Sequence, residues 1–277
     1  MKKTLGVAIA AISASAAAQQ KGSVQTFDFE DFKVHVYNTN DALGDASFII
    51  EGADAVVTME EPLFKDNAAE FDQLLQTIGK PVANVISDYH VGSQRTGVVM
   101  PKGMHAFTKG PIYSGMMAGF AKTFGAAIVP LRDVTPTEVG FDRMKTLAGV
   151  DFLFRHGAAS DFPAASIIIG GKVYYTHWAP AKAHVSPLQI GSRAAVDAEI
   201  EETRRELESG AELFVGGHGG VSSREAVEFK LTYLGTVKSL LDEQKTASGF
   251  ASALKDAFPA LAGEEGVGAL AGALYKE

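Results

Sequence analysis

The sequence contains no cysteine, and this absence excludes several kinds of site. Without cysteine the chain has no disulfide bonds, no thiolate metal ligands and no lipid-modified cysteine anchor. Positive charge is also scarce, since 25 Lys and Arg stand against 33 Asp and Glu, for a formal net charge of −8. Phosphate binding needs a basic surface, so this balance argues against a nucleic acid partner. A small-molecule substrate or ligand is the partner that we expect.

Long apolar runs are few, and one of them lies at the N-terminus. Residues 1–20 read MKKTLGVAIAAISASAAAQQ, which is two lysines, an apolar run and an Ala-x-Ala site. This order is typical of a secretory signal peptide, and the run is too short for a good membrane span. We predict a signal peptide over 1–18, and a periplasmic or secreted mature protein without membrane contact. Loss of Lys2 and Lys3 takes the net charge from −8 to −10.

The rest of the chain alternates between strand-like and helix-like patterns. ASFIIEGADAVVTME predicts two strands around a tight turn, and NAAEFDQLLQTIGK predicts a helix with Asn67 as N-cap and Gly79 as stop. AAVDAEIEETRRELESG predicts a helix whose charged residues face solvent. We expect one main domain over 24–246 and a helical appendage over 247–277. Strands alternating with helices indicate an α/β sandwich whose functional residues lie in loops at strand ends.

Four segments, in their order along the chain, carry a resemblance to a known family. They are ASFIIEGADAVVTMEEPLF, GKPVANVISDYHVGS, GVDFLFRHGAASDFPAASIIIGGKVYYTHWAP and ELFVGGHGG. Over roughly residues 24–245 the chain resembles the metallo-β-lactamase superfamily. The resemblance implies an α/β fold that is a four-layer αββα sandwich with two facing mixed sheets. It also implies a metal-dependent hydrolase.

The family's HxHxDH motif is reduced here to DYHVGS, and its register has two alternatives. In the first, Asp88 replaces the first histidine, His90 keeps the second, and Gly92 and Ser93 replace the final Asp and His. In the second, HVGS aligns with the family's HVGG, so that His90 is the last histidine of the motif. The first register places Asp88 and His90 just past the apolar strand, and we prefer it for that reason.

The resemblance also implies which residues hold the metal. His156 matches the next family histidine and His218, within GGHGG, matches the last one. The predicted ligands are therefore Asp88, His90, His156 and His218. At most one ion is expected, because Gly92, Ser93 and Trp178 stand where the second metal has its ligands. Zinc suits this set, and iron or manganese also accept two histidines with a carboxylate. His177 is interpreted as a packed strand residue.

Two functions follow from this degenerate active site. The first is an exported hydrolase with a reduced, at most mononuclear metal site and an unassigned substrate. The alternative is a catalytically inactive protein of the same fold that binds a ligand in the periplasm. The pattern assigns no catalytic residue. Metal content distinguishes the two functions, because a hydrolytic metal needs about three protein ligands with an open position for water.

Overall fold

A computed structural model describes residues 21–90, 92–130, 132–158 and 165–276. These residues form two mixed β-sheets, one of seven strands and one of six. In each sheet, strands that are consecutive along the chain lie side by side. The first sheet contains β1 (Ser23–Asp28), β2 (Lys33–Asn38), β3 (Ala46–Glu51), β4 (Val56–Met59), β5 (Val82–Ile86), β6 (Val98–Pro101) and β7 (Thr137–Val139). The second contains β8 (Arg143–Leu147), β9 (Val150–His156), β10 (Ala165–Ile169), β11 (Val173–Trp178), β12 (Leu213–His218) and β13 (Gly220–Ser222).

The helices of the described residues pack on the outer faces of the two sheets and on one another. They are α1 (Lys65–Ile78), α2 (Met104–Thr108), α3 (Pro111–Phe124), α4 (Pro187–Ile190), α5 (Arg193–Glu208), α6 (Arg224–Glu243), α7 (Ala247–Ala257) and α8 (Val267–Leu274). α1, α2 and α3 pack on the first sheet, and residues of α6 pack on the second. None of these helices is both long and apolar enough to cross a membrane.

The main hydrophobic core lies between the two sheets. Alternate residues of facing strands fill it, as the edge-to-face contact of Phe48 with Tyr175 shows at a centroid distance of 5.7 Å. Helices, sheet, sheet and helices therefore form four layers, and the predicted αββα sandwich is confirmed. α7 and α8 share a second apolar core with α5 and α6, so the segment after residue 246 packs directly on the main domain.

Two helices differ in detail from the sequence prediction. Helix α1 begins before Asn67, which is buried inside the helix and donates Nδ2 hydrogen bonds to Tyr37 and Thr39 instead of capping it. Gly79 ends α1 in the left-handed conformation, as predicted. The face of α5 expected to be solvated instead buries Glu199, Glu202 and Glu206, because α6 packs against it.

One edge of the sandwich collects the strand ends that carry polar residues. β4 and β5 run parallel to each other, as do β11 and β12, so the carboxyl ends of each pair lie together. Glu60 follows β4, His90 follows β5, and His218 ends β12. Asp45 precedes β3 and forms an isolated antiparallel bridge with His218, which joins the two sheets at this edge.

Candidate metal centre

Three histidines from distant parts of the sequence meet at this edge. The ring centroids of His90 and His218 are 5.0 Å apart, those of His177 and His218 are 4.8 Å apart, and those of His90 and His177 are 5.5 Å apart. Each side chain offers one nitrogen, and these three nitrogens lie within 4.8 Å of one another. Among the described residues they are the group that could hold a metal ion.

The loop that carries His90 is held by one buried carboxylate. Glu60 is fully buried, and its carboxylate oxygens accept hydrogen bonds from the backbone N–H groups of Asp88 at 2.6 Å and His90 at 3.0 Å, with a longer one from Tyr89. Glu60 also adopts a φ of 51°, which is unusual for a residue other than glycine. Ser87 fixes the other side of the turn by donating its hydroxyl to the carbonyl of His90. His90 is therefore positioned mainly through its backbone, and Oε2 of Glu60 also lies 3.5 Å from Nδ1 of its ring.

His177 and His218 owe their proximity to the parallel pairing of their strands. Trp178 is the register partner of His218, so the last residues of β11 and β12 lie side by side. Gly216 allows the chain that leaves β11 to pass close to β12, because a Cβ at this position would lie 2.1 Å from the backbone nitrogen of Ala179. A Cβ at Gly217 would lie 3.1 Å from the Tyr175 hydroxyl, so this glycine leaves room for the tyrosine.

The surroundings of the cluster favour a neutral His177 and an ionised Asp45. Burial lowers the pKa of His177 well below its usual range, and the neighbouring His90 and His218 lower it further. Asp45 lies with Oδ1 2.9 Å from Nδ1 of His218 and 4.0 Å from Nε2 of His90. Burial raises the pKa of Asp45, but the two histidines more than offset this and hold it below its usual value. The cluster thus combines neutral imidazole at His177 with a nearby anion.

Known proteins resemble this chain in structure and not detectably in sequence. No protein-family model and no curated protein sequence matches it. The stereoselective inverting sec-alkylsulfatase Pisa1 from Pseudomonas sp. superposes with a TM-score of 0.63 at 15% identity, covering 91% of this chain and 50% of the sulfatase. A metallo-β-lactamase family protein of Thermus thermophilus gives 0.54 at 17% identity, covering 93% of this chain and 92% of that one. The chain has the metallo-β-lactamase fold.

A superfamily protein of Sulfolobus tokodaii supports the same assignment. It gives a TM-score of 0.51 at 12% identity, with 76% of this chain and 87% of the archaeal protein covered. The chain spans about half the length of the sec-alkylsulfatase. At these identities the metallo-β-lactamase fold is what the likeness establishes, so the chemistry has to be argued from the site itself.

The structure brings together two of the four residues predicted to hold the metal. His90 and His218 join, with His177 as the third member, and Asp88 and His156 lie outside this group. The Asp88 carboxylate is fully buried and accepts the backbone N–H of Ala165 at 2.9 Å. Burial and the nearby Glu60 carboxylate raise the pKa of Asp88 well above its usual value.

His156 is occupied elsewhere. Its ring stacks on Phe141 at a centroid distance of 3.6 Å, beside a different cavity. The resemblance assigns His218 to the family's second metal, so its grouping with His90 favours the register in which His90 is the last histidine of the motif. Prediction from sequence missed His177 and Asp45. The alternation Val173, Tyr175, His177 along β11 points all three to the core side, which is the signal that identifies His177.

The three histidines fit a divalent metal ion. Nδ1 of His177 is buried and has no hydrogen-bond partner among the described residues, which is costly unless another group binds it. Oδ1 of Asp45 lies 2.9 Å from Nδ1 of His218 without the alignment of a hydrogen bond, so a small rotation would let this carboxylate orient the ring. Two imidazole nitrogens on one zinc ion lie roughly 3.3 Å apart. Side-chain rotations that move each nitrogen by about 1 Å would therefore bring the three histidines to ligand distances.

An apolar cavity opens directly onto the histidines. Its volume is about 420 Å³, and His90, His177, His218 and Asp45 form its polar end. This size is within the range of small-molecule sites. Helix α3 forms an apolar wall of the cavity with Tyr113, Met116, Met117 and Phe120, spaced so that they share one helical face. The methionines of α3 therefore contact the cavity.

Proposed function

We propose that this chain is an exported hydrolase that uses one metal ion, held by His90, His177 and His218, on a small-molecule substrate. The observation that carries the proposal is the convergence of three histidine nitrogens within 4.8 Å at the polar end of a cavity of about 420 Å³. Three protein ligands with an open position are the usual arrangement of a catalytic zinc site. A divalent ion there would supply Lewis acidity and lower the pKa of a coordinated water.

The protein residues contribute orientation and a suitable charge. His177 stays neutral because it is buried, and neutral imidazole is the form that binds metal. Asp45 contacts His218 and lies near His90, so it orients both rings and offsets part of the ion's charge. Glu60 fixes the backbone of His90 without reaching into the cavity lining. The apolar wall limits competing water around the reacting group.

Metal content of ligand variants tests the proposal. The full chain is purified without added metal, and its metal is measured by elemental analysis before and after zinc is supplied. We expect about one equivalent in the parent and large losses in His90→Ala, His177→Ala and His218→Ala. His156→Ala is the matched control and keeps its metal, because His156 stacks on Phe141 away from the cluster.

Two outcomes would contradict the single-metal hydrolase. Loss of metal in His156→Ala with retention in His177→Ala would restore the ligand set of the sequence prediction. No metal in any form, with no hydrolysis of a panel of esters, amides and sulfate esters, would favour the ligand-binding protein. The apolar cavity itself would then be the functional site.

A further inference from the structure

We infer that the substrate carries an uncharged, apolar body, which packs against α3 while its reacting group lies at the histidines. This inference deepens the proposed function and rests on it for the position of the reacting group. It assigns Met116 and Phe120 as residues that determine specificity. Three observations support it. The cavity has two chemically different ends, its described lining contains no cationic side chain, and the hydroxyl of Tyr113 in its wall already has a hydrogen-bond partner.

The cavity is polar only at one end. The four polar side chains named above lie together there, and its other described walls are almost wholly apolar, as Leu63, Met117 and Phe120 illustrate. Leu188, on α4, lies at the cavity with 45% of its surface exposed. A body that extends from the histidines along α3 therefore leaves water for a surface of Leu, Met and Phe. Transfer from water to such a surface is favourable for apolar groups and unfavourable for polar groups that find no partner there.

No described residue of the cavity lining is Lys or Arg. The lining contains one carboxylate, Asp45, at the histidine end. The hydroxyl of Tyr113 is already engaged, because it donates to the carbonyl of Tyr89 at 2.8 Å. A charged group on the far part of the substrate would lose its hydration without gaining an ion pair. The wall therefore selects against a charged body, even where a metal ion attracts a polar head.

The chain provides its own reporter for the test. It contains one tryptophan, Trp178, and this residue lines the cavity and stacks on His218 at a centroid distance of 4.3 Å. Intrinsic fluorescence of the full chain is therefore titrated with 1-butanol, 1-hexanol and 1-octanol, and with 8-amino-1-octanol. We expect the dissociation constant to fall about fourfold per added CH₂. 8-Amino-1-octanol has the same carbon chain as 1-octanol but ends in an ammonium group at neutral pH, which cannot replace the hydroxyl as a metal ligand. It should bind roughly tenfold more weakly or worse.

Two cavity variants and one control locate the effect on α3. Phe120→Ala and Met116→Ala shorten the apolar wall, so each should weaken 1-octanol about tenfold and 1-butanol much less. Ile112→Ala is the control, because Ile112 belongs to the same helix, is 64% exposed and does not line the cavity. Two independent wall variants keep the test valid if one of them fails to fold.

The two proposals fail separately. Alcohols that do not bind, affinity that does not depend on chain length, or 8-amino-1-octanol that binds as tightly as 1-octanol would each overturn the apolar-body inference. Those results leave metal content and ester hydrolysis untouched. A chain-length effect in a protein that binds no metal and hydrolyses nothing would support the specificity of the cavity while contradicting the hydrolase. Chain-length dependence of 4-nitrophenyl ester hydrolysis, from butyrate to octanoate, would support both.

Discussion

Gly92 lies two residues after His90, at a place where a side chain has no room. A Cβ at this position would lie 2.7 Å from the carbonyl oxygens of both Glu61 and Pro62. Two backbone groups have no flexible end that could move aside, so the glycine follows from packing. This lack of space argues against building a second metal site by Gly92→Asp with Ser93→His, which the motif alone suggests. Ser93 is itself engaged, since its hydroxyl oxygen accepts the N–H of Arg95.

Two glycine-to-alanine substitutions should therefore change stability in opposite directions. Gly92→Ala should lower the free energy of unfolding by about 1–3 kcal/mol, because the added methyl group overlaps backbone oxygens. Gly235→Ala should raise it by roughly 0.5–1 kcal/mol, because Gly235 lies inside α6 with open space around it. Urea denaturation of the two variants measures both values. A neutral Gly92→Ala would show that the chain around Glu61 relaxes freely.

Some residues of the metal centre can be identified from the sequence more easily than others. His90 and His218 stand beside glycine and polar residues after apolar strands, and that pattern is visible without a structure. Asp45 and His177 are not marked in this way. Asp45 reaches the site through an interstrand bridge, and His177 is recognised when its inward direction and its parallel neighbour are known. Such contacts depend on register, which one sequence does not define.

Helix α5 has a buried ionic face. Glu199, Glu202 and Glu206 lie under α6, where Nζ of Lys230 is 2.8 Å from Glu199. Glu202 pairs with Arg205 and accepts the Tyr174 hydroxyl at 2.9 Å. Three carboxylates thus face two cations, and Oε2 of Glu206 has no hydrogen-bond partner among the described residues. The spacing of charged residues alone predicted that this face of α5 is exposed to solvent, because the sequence pattern does not show that α6 covers it.

Glu206 should make stability depend on pH between about 4.5 and 8. Burial, with the nearby Glu202 and Glu199, raises its pKa from 4.5 to about 8, although Lys230 opposes the shift. Between these values the folded state holds a proton that the unfolded state has lost, so the free energy of unfolding falls as pH rises. At 1.36 kcal/mol per pKa unit the full effect is about 3–5 kcal/mol.

Glu206→Gln should remove this dependence, because the amide stays neutral. The variant and the parent should be similar near pH 5, and the variant should be the more stable near pH 8. Thermal unfolding in a series of buffers measures the difference, with Glu201→Gln as control because Glu201 is exposed on the same helix. Parallel pH curves for parent and Glu206→Gln would show that the carboxyl is ionised throughout.

Helix positions were easier to predict than helix environments. The 3.6-residue spacing of apolar residues located α1, and Gly79 marked its end. Asn67 was wrong as an N-cap because its side chain binds Tyr37 and Thr39, which belong to the sheet beneath. Local patterns thus define where a helix runs, and tertiary contacts decide what each polar residue on it does.

For the whole molecule, export remains a prediction that the N-terminal sequence supports. Residues 1–20 lie outside the described residues, and the first described residue is Lys21. Expression of the full chain in a bacterial host should give a periplasmic protein whose mature N-terminus is Gln19. Intact mass and N-terminal sequencing check this, and Ala18→Arg, which replaces the small residue before the cleavage point, should leave the precursor unprocessed. A cytoplasmic protein that retains Met1 would contradict the signal peptide.

The architecture was more predictable than the centre because it depends on pattern rather than on single residues. Strand and helix order along the chain indicates an α/β sandwich, and the resemblance implies two sheets with outer helices. The four-layer sandwich agrees with both. The metal centre depends on which histidine follows which strand and on a register that two alignments of DYHVGS leave open. His156 illustrates the limit, since its loop suits the family pattern while its ring lies on Phe141.

The bridge between Asp45 and His218 has a consequence for how the protein folds. Gly219 also donates its N–H to the carbonyl of Gly44, so the start of β3 and the end of β12 close the same edge from opposite halves of the sequence. Contacts between such remote segments close a large loop and tend to form slowly. The histidines should therefore come together only as the second sheet docks on the first. During refolding, the ability to capture a metal ion should appear with the final cooperative phase, later than the helical signal.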